Sequence, residues 1–318
     1  MQKLLNQIIC GDCIEVLSEI GQPFADLIFA DPPFNIGYKY DKYYDKVKSK
    51  NYIAWTKDWM SICKKVLKPH GSFYIAIGDE YAANVKVIAD ELGLHLRNWI
   101  IWHYTFGQQT KNKFARAHTH IFYFVNNKKN FTFNEYAVRV PSDRQLIYND
   151  RRANPKGKMP NDVWDEFPRV CGTFRERTGW HPCQMPENLL KRIIAVSSNP
   201  RDCVLDPFCG SGTTAAAAYQ LDRNYVGIEI SEKYVENANE RLADLKSQRQ
   251  GNLFLNTIKL SELKQLLSDM NRPAKEIIAD RKLLKLFTNQ FAVRMNNQKR
   301  YSTEEIVTAL RDLAVRSP

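Results

Sequence analysis

Short apolar runs alternate with longer amphipathic stretches along most of this chain. Such alternation is typical of a mostly parallel sheet with helices packed on its faces, an α/β fold. The predicted strands are Leu5–Cys10, Ala25–Ala30, Gly71–Ile77, Leu96–His103, His120–Val125, Cys203–Asp206 and Asn224–Ile230. The predicted helices are Tyr52–Leu67, Glu80–Leu92, Pro186–Ser197, Thr213–Leu221 and Glu232–Lys246.

Two regions depart from this alternation. Residues 107–180 are rich in Lys, Arg, Asn and aromatic residues and have little helical period, so we predict an inserted module or long loops there. From about residue 256 onward the pattern is helical again, with a helix start at Ser302-Thr303-Glu304-Glu305. We therefore predict four regions, at 1–106, 107–180, 181–250 and 251–318.

The composition excludes several classes of protein. With 318 residues, 44% hydrophobic and 25% charged, the chain is neither collagen-like nor disordered. No apolar run approaches the roughly 20 residues that span a bilayer, and the first residues lack a long apolar signal core. We expect a cytoplasmic protein without a membrane partner. Seven cysteines, an odd number scattered through the chain, favour reduced thiols over disulfides.

The net charge of +11 is unevenly distributed. Residues 107–180 hold 14 Lys+Arg against 7 Asp+Glu, and residues 251–318 hold 12 against 7, whereas the rest of the chain is nearly neutral. Lysines and arginines that meet phosphates release condensed counterions, so the two basic blocks favour a polyanionic partner such as nucleic acid. On charge alone, a merely solvated surface fits equally well.

A rigid turn with a carboxylate follows the second predicted strand, with the sequence Asp31-Pro32-Pro33-Phe34. Open α/β sheets bind ligands at the carboxyl ends of their strands. The two prolines fix the backbone and remove two N–H donors, which leaves carbonyl acceptors beside the carboxylate and an aromatic ring. This cluster suits an amino group on a flat ring, although prolines that merely end the strand are the alternative.

A glycine-rich bend follows the predicted strand Cys203–Asp206, with the sequence Asp206-Pro207-Phe208-Cys209-Gly210-Ser211-Gly212-Thr213-Thr214. It precedes a predicted helix, and Glu229 ends the next strand about 20 residues later. Glycines allow close approach of a ligand to the backbone, and a carboxylate at that spacing accepts ribose hydroxyls. The bend predicts a nucleoside cofactor, either a nicotinamide dinucleotide or S-adenosylmethionine. A strand–helix packing turn is the alternative.

Taken together, the two motifs resemble those of amino-group DNA methyltransferases that use S-adenosylmethionine. Their order, catalytic motif before cofactor motif, resembles the β group, in which a Rossmann-like sheet is circularly permuted. The resemblance covers roughly residues 5–246 and implies that 107–180 is the target-recognition region. It further implies duplex DNA as partner and leaves open a cognate restriction endonuclease and a homodimer. The role of the helical tail 251–318 stays open between a DNA-binding domain, a dimer contact and a packed appendage.

Further matches extend the predicted cofactor site. Gly11-Asp12-Cys13 resembles the position where the family holds the cofactor's adenine, which implicates Asp12 and Cys13. His181 and Gln184 belong to a segment that resembles one lying against the methionine end of the cofactor; Cys183 and Met185 depart from that pattern. The predicted cofactor-binding residues are Asp12, Cys13, Asp31, His181, Gln184, Asp206, Phe208, Gly210, Ser211, Gly212, Thr213, Thr214 and Glu229.

The resemblance also implies a mechanism. Asp31 and the Pro32 carbonyl would accept hydrogen bonds from the target amino group, Pro33 would stiffen the turn, and the flipped base would stack on Phe34. Aspartate at the first position resembles adenine-N6 enzymes, whereas serine there would resemble cytosine-N4 enzymes. Predicted DNA contacts are Lys111, Lys113, Arg116, Arg151, Arg152, Arg175 and Arg177. The loop Tyr38–Asn51 is interpreted as a cover for the base, a phosphate contact or an exposed flexible loop.

Several alternatives remain at this point. Pro182-Cys183-Gln184 resembles the nucleophile motif of cytosine-C5 methyltransferases, but it precedes the cofactor bend instead of following it. The other alternative functions are cytosine-N4 methylation, RNA adenine methylation, DNA binding by a catalytically inactive relative, and nicotinamide-dependent oxidoreduction. Cys10 and Cys13 lack a second pair at zinc spacing, and the histidines at 118 and 120 lack neighbouring ligands, so we predict no metal site.

Overall fold

The computed structural model describes residues 4–108, 110–172, 174, 176–251, 254–295 and 301–315. Among these residues, no helix is long and apolar enough to cross a membrane.

Eight strands of the described chain form one sheet, and two short strands form a separate hairpin. The sheet strands are β1 (Gln7–Cys10), β2 (Ala25–Ala30), β5 (Leu67–Ile77), β6 (His95–Gln108), β7 (Arg116–Val125), β8 (Val163–Trp164), β9 (Cys203–Asp206) and β10 (Asn224–Glu229). The hairpin strands are β3 (Tyr38–Lys39) and β4 (Tyr44–Asp45). All seven predicted strands are confirmed, with small shifts at their ends.

The helices of the first 251 residues connect these strands. They are α1 (Cys13–Ile20), α2 (Ser49–Val66), α3 (Asp79–Glu91), α4 (Asp143–Leu146), α5 (Glu187–Ser197), α6 (Thr213–Gln220) and α7 (Glu232–Gly251). The five predicted helices are confirmed. The sequence analysis missed α1, whose start is capped by the Asp12 side chain, and the single turn α4.

The sheet order is β1-β10-β9-β2-β5-β7-β6-β8, and neighbours from β1 through β5 run parallel. Strand β2 pairs with β9, with Leu27 opposite Val204 and Ile28 opposite Leu205. The amino-terminal strand β1 pairs with β10 near the other end of the domain. A strand from each half of the chain therefore meets at the centre, which fits the predicted permuted, mostly parallel sheet.

Strand alternation builds a core on each face of the sheet. Ile28 and Phe73 face one cluster, which contains Trp59 of α2, whereas Leu27 and Tyr74 face the other. Successive strand residues point to opposite faces, so strands buried on both sides read as continuous apolar runs. That is why the runs in the sequence located these strands well.

The predicted boundary at residue 107 falls inside β6, which continues to Gln108. Strand β7 lies within the predicted insertion but pairs with both β5 and β6 in the sheet. Residues 126–180, except for β8, are therefore the part of the predicted insertion that lies outside the sheet. Polar residues at the ends of β6 and β7 give little periodic signal there, which is why the predicted boundary falls inside β6.

The tail is helical, as predicted, with α8 (Phe254–Met270), α9 (Ala274–Ala279), α10 (Arg281–Arg294) and α11 (Thr303–Val315). At the start of α11, Ser302 and Glu305 form the expected capping box, with bonds of 2.8 and 3.1 Å. The four helices enclose their own apolar cluster, against which Leu146 of α4 also packs.

Candidate active site

The two sequence motifs meet at the carboxyl ends of β2 and β9. Because these parallel strands are neighbours, the turn Asp31–Phe34 and the bend Asp206–Thr214 open onto the same edge of the sheet. They line one cavity of about 510 Å³, together with residues after β1 and β10. The structure thus brings together residues that lie about 175 positions apart in the chain.

The Asp-Pro-Pro-Phe turn is held from two sides. The Tyr52 hydroxyl of α2 donates to the Pro33 carbonyl at 2.6 Å. The Phe34 ring lies against Gly78, where an added Cβ would stand 3.3 Å from the ring. Asp31 and Pro32 face the cavity beside them. The stiffness predicted from the prolines is therefore reinforced by contacts from two other elements.

The glycine bend joins β9 to α6 and is shaped by two positive φ angles. Gly210 has a φ of +46°, and a Cβ there would lie 2.8 Å from Nε2 of His181. Its N–H donates to Oε2 of Glu229 at 2.9 Å, and the N–H of Ser231 donates to Oε1 at 3.0 Å. Glycine at 210 is thus required by both backbone conformation and a close neighbour.

Gly212 is a different case from Gly210. Its φ is +71°, but a Cβ there would lie 2.9 Å from Cβ of Ala238 on α7. It is absent from the residues that line the cavity among the described chain. The structure therefore gives Gly212 a role in helix packing. The prediction had instead placed this glycine directly in the cofactor site.

Hydrogen bonds within the bend fix its other members. The Phe208 N–H donates to Oδ1 of Asp206 at 3.0 Å. The hydroxyls of Ser211 and Thr213 lie 2.9 Å apart, and Arg241 donates to Oγ1 of Thr213 at 3.0 Å. Asp206, Phe208, Ser211, Thr213 and Thr214 line the cavity, and their contact with a cofactor stays a prediction.

Acidic groups dominate the cavity. Burial, with repulsion from Asp206 as the second cause, raises the pKa of Asp31 to about 8, and Arg169 opposes the shift. Burial likewise raises the pKa of Asp206 to about 7. The pKa of Glu229 is also raised, mainly by burial. Carboxylates crowded in this way favour a ligand that carries positive charge.

Two predicted cofactor residues, Asp12 and Gln184, make other hydrogen bonds in the structure, and a third, His181, has a shifted pKa. Oδ1 of Asp12 caps α1 by accepting from the N–H of Ile14 at 2.8 Å. The Gln184 amide donates to the Glu176 carbonyl at 2.6 Å and accepts from the Thr178 N–H at 2.8 Å. Burial lowers the pKa of His181 to about 4, so its ring is neutral near pH 7. All three line the cavity, as does Cys13, and they shape its walls.

The hairpin β3–β4 lies over the cavity. The hydroxyl of Ser231 donates to Asp41 at 2.6 Å, and the hydroxyl of Tyr40 contacts the sulfur of Cys183 at 3.7 Å. The rings of Tyr40 and Tyr43 stack at 4.9 Å. Of the three interpretations of this loop, the structure supports the cover.

A large part of the cavity wall was not predicted from the sequence. It is formed by aromatic, polar and cationic side chains from α2, β6, β7 and the segment after β8, namely Trp55, Trp102, Tyr104, Thr119 and Arg169. These residues belong to runs that read only as core strands or as a basic segment. No local pattern in the sequence marks them as cavity residues, because the fold alone turns them toward the site.

The predicted DNA contacts divide into three groups. Lys111, Lys113 and Arg151 are exposed, and Arg116 lines the cavity. Arg152 is exposed but pairs with Asp150 at 3.0 Å, and Arg177 donates to the Gly172 carbonyl at 2.9 Å. Arg175 lies outside the described residues. Within the described chain, no group of three or more His, Cys, Asp or Glu side chains is placed to hold a metal.

A model of the DNA methylase family, named for N6 and N4 methyltransferases, matches residues 25–240. The chain is 38% identical over 238 residues to the type II methyltransferase M.HpaI of Haemophilus parainfluenzae, and this match covers 74% of each of the two proteins. It is 39% identical over 267 residues to the DNA adenine methyltransferase YhdJ of Escherichia coli (strain K12). That match covers 77% of this chain and 89% of the relative.

Solved structures share the fold. The M1.HpyAVI–SAM complex has a TM-score of 0.56 at 24% identity and covers 74% of this chain and 98% of that one. The cytosine-N4-specific PvuII DNA methyltransferase has a TM-score of 0.56 at 19% identity, over 76% of this chain and 91% of that one. These likenesses confirm the predicted methyltransferase-type α/β fold.

Proposed function

This chain belongs to the N6/N4 DNA methylase family, and from that premise we propose that it methylates the N6 amino group of an adenine flipped out of duplex DNA, with S-adenosylmethionine as methyl donor. One observation carries the proposal: the Asp31–Phe34 turn and the Asp206–Thr214 bend line a single cavity. An acceptor cluster for an amino group and a bend for a nucleoside cofactor are therefore within reach of each other.

The acidic side chains that line the cavity suit the positive charge of S-adenosylmethionine. When bound, this cofactor supplies an electrophilic methyl group on a positively charged sulfur. We assign Asp31 and Asp206 to the positive charge, because their raised pKa values reflect carboxyls crowded together in a buried site. Glu229, oriented by the N–H groups of Gly210 and Ser231, is assigned to ribose hydroxyls.

The turn would act on the substrate nitrogen. Asp31 and the Pro32 carbonyl accept hydrogen bonds from the two N–H groups of the target amine. This favours a pyramidal nitrogen with an available lone pair. The nitrogen would bond to the methyl carbon as the bond between that carbon and sulfur breaks, which leaves a neutral thioether. The positive charge that develops on the nitrogen would lie in front of acceptors already fixed in place, and the surplus proton would pass to the Asp31 carboxylate. Phe34, held against Gly78, offers its ring to the base. No covalent intermediate on the protein is required.

The choice of adenine rests on Asp31 and on the relatives. Aspartate at this position resembles adenine-N6 enzymes, and YhdJ is named a DNA adenine methyltransferase. Cytosine-N4 methylation is the second candidate, because the PvuII cytosine-N4 enzyme has the same fold. The two products differ in the modified base, so one experiment separates them.

The test is incubation of the purified protein with tritiated S-adenosylmethionine and, separately, duplex DNA, single-stranded DNA and RNA. Digestion to nucleosides then identifies the labelled base, and mapping of modified bases identifies the recognition sequence. We expect N6-methyladenine in duplex DNA. Label in N4-methylcytosine, or in RNA only, would contradict the proposal, and no label at all would indicate an inactive relative.

Two partners remain predictions. M.HpaI and M.BglII are named type II methyltransferases, which favours a restriction endonuclease of the same specificity. Protection of DNA from cleavage at the mapped sequence, together with the presence of such an endonuclease in the source cell, tests this. A homodimer is tested by light scattering of the protein alone and with DNA.

A further inference from the structure

The hairpin of β6 and β7 ends in an exposed aromatic residue. Gln108 pairs with Arg116 at the end of the ladder, so residues 110–115 belong to the tip between the two strands. Phe114 lies in this tip and is 99% exposed, the most exposed large hydrophobic side chain in the described part of the protein. A single exposed apolar ring is common on protein surfaces, so its meaning depends on what surrounds it.

Positive charge surrounds this ring. Lys111 and Lys113 are exposed in the same tip. Arg116 follows two residues after Phe114, contacts Asp79 at 2.7 Å and lines the cavity. A partner that covers the tip must therefore accept cations and an apolar ring at the same place, and duplex DNA offers phosphates beside stacked bases.

The base of the tip is fixed next to the cavity. Asp79 begins α3 directly after Gly78, which also lines the cavity. At Gly107 an added Cβ would lie 1.8 Å from the Arg116 carbonyl, so only glycine allows the two strands to approach this closely. Phe114 is two residues from Arg116, which keeps their Cα atoms within about 7 Å. The backbone of Phe114 is thus close to a residue that lines the proposed base pocket.

We infer that Phe114 inserts into the base stack of the duplex and occupies the gap that the target base leaves when it enters the cavity. The inference rests on the proposed function and adds a residue to it. Extruding a base requires unstacking, and an aromatic ring in the gap restores part of the lost stacking. Lys111 and Lys113 contact the phosphates on either side.

The experiment compares two duplexes that contain the mapped recognition sequence. In one the target adenine faces thymine; in the other it faces an abasic site, so that it is already unpaired. For Phe114→Ala we expect kcat/KM on the paired duplex to fall about 10- to 100-fold, the equivalent of one stacked base. On the abasic duplex we expect a value within about 3-fold of the wild type, because extrusion then needs little help.

Two variants serve as controls. Phe114→Trp keeps a ring and should stay within about 3-fold of the wild type on both duplexes. Tyr148 is 74% exposed and lies among arginines, but it is not among the residues that line the cavity in the described chain. Any loss in Tyr148→Ala should therefore be equal on both duplexes. Unchanged cofactor affinity and melting temperature in Phe114→Ala show that the variant is folded.

Two results would overturn the inference: normal turnover of Phe114→Ala on the paired duplex, or an equal defect on the paired and abasic duplexes. The second would make Phe114 an ordinary DNA contact. Failure of the proposed function is a different result, since the wild-type protein would then methylate neither duplex.

Discussion

Asp31 is the residue whose charge state matters most to the proposed chemistry. Its ionised form is the stronger hydrogen-bond acceptor and the form that stabilises positive charge on an amino nitrogen, yet burial and the nearby Asp206 raise its pKa to about 8. A positively charged ligand in the same cavity favours the ionised form. Cofactor binding and activation of the acceptor are therefore expected to be coupled.

Replacing Asp31 with alanine removes the acceptor while leaving the glycine bend intact. We expect methylation to be lost and cofactor affinity to fall only a few fold, because Asp206 still offers a carboxylate to the positive charge of the cofactor. Filter assays of methyl transfer and calorimetry of cofactor binding measure the two effects. Normal turnover of this variant would refute the assigned role.

The pH dependence follows from the same group. For the free enzyme, kcat/KM should rise as pH rises through about 8, because the ionised carboxylate is the stronger acceptor and stabilises the positive charge that develops on the amino nitrogen. Asp206→Asn removes the repelling charge. In this variant the acidic limb of the pH profile, over which kcat/KM rises with pH, should therefore move to lower pH. A limb that stays in place would mean that burial alone sets the pKa of Asp31.

Stability should show the opposite trend with pH. A carboxyl whose folded pKa of about 8 lies above its unfolded value near 4 holds its proton longer in the folded state. The protein without cofactor should therefore lose stability as pH rises from about 4 to about 8. Melting temperatures measured across this range, with and without cofactor, test the sign, and the cofactor should flatten the slope.

At the scale of elements, the glycine bend shows why a short motif encodes a site. Gly210 must adopt a positive φ and leave room for His181, which comes from a distant loop. The sequence revealed that a glycine was needed there. It did not reveal that a histidine ring would fill the space beside it, because that contact is formed only in the folded chain.

Gly210→Ala tests this arrangement. We expect a loss of about 1–2 kcal/mol from the left-handed conformation, a further loss from the clash with His181, and clearly weaker cofactor binding. Gly93→Ala is the matched control, since Gly93 has a φ of +71° with nothing within 4 Å of the added Cβ. It should lose stability only, as measured by chemical unfolding. Equal losses in both variants would contradict the contact with His181.

At the scale of the whole molecule, one buried ionic cluster joins three regions. Asp269 of α8 contacts Arg192 of α5 and Arg294 of α10, each at 2.6 Å. Arg294 also donates to the Arg139 carbonyl, at 3.1 Å, in the basic segment that precedes α4. The tail is therefore packed against both the sheet domain and the proposed recognition region.

Asp269→Ala should destabilise the protein by about 3–5 kcal/mol, because two buried guanidinium groups lose their shared partner. Arg272→Ala removes an exposed pair with Glu276 in the same tail and should cost less than about 1 kcal/mol. Urea unfolding of the two variants measures the difference. Similar small losses would show that the cluster adds little to docking of the tail.

Much of the sheet and both motifs could be predicted because their signals are local. Apolar runs marked seven of the eight sheet strands, all but the two-residue β8, and the turn at Asp31 and the bend at Gly210 follow strand ends directly. The region 107–180 was harder, since β6 and β7 pair across a tip that has no hairpin signature. The helix α1 was missed because eight residues give too little period and, unlike the equally short α6, it does not follow a glycine-rich bend that marks a helix start.

The sequence by itself determined the types and order of the elements, the uneven charge and the two chemical motifs, because these depend on neighbours within a few residues. Only the tertiary structure decided that β2 lies beside β9, that the hairpin β3–β4 covers the cavity, and that Gln184 and Gly212 brace the site from behind. Those outcomes depend on packing between segments distant in the chain, which no local pattern of residues specifies.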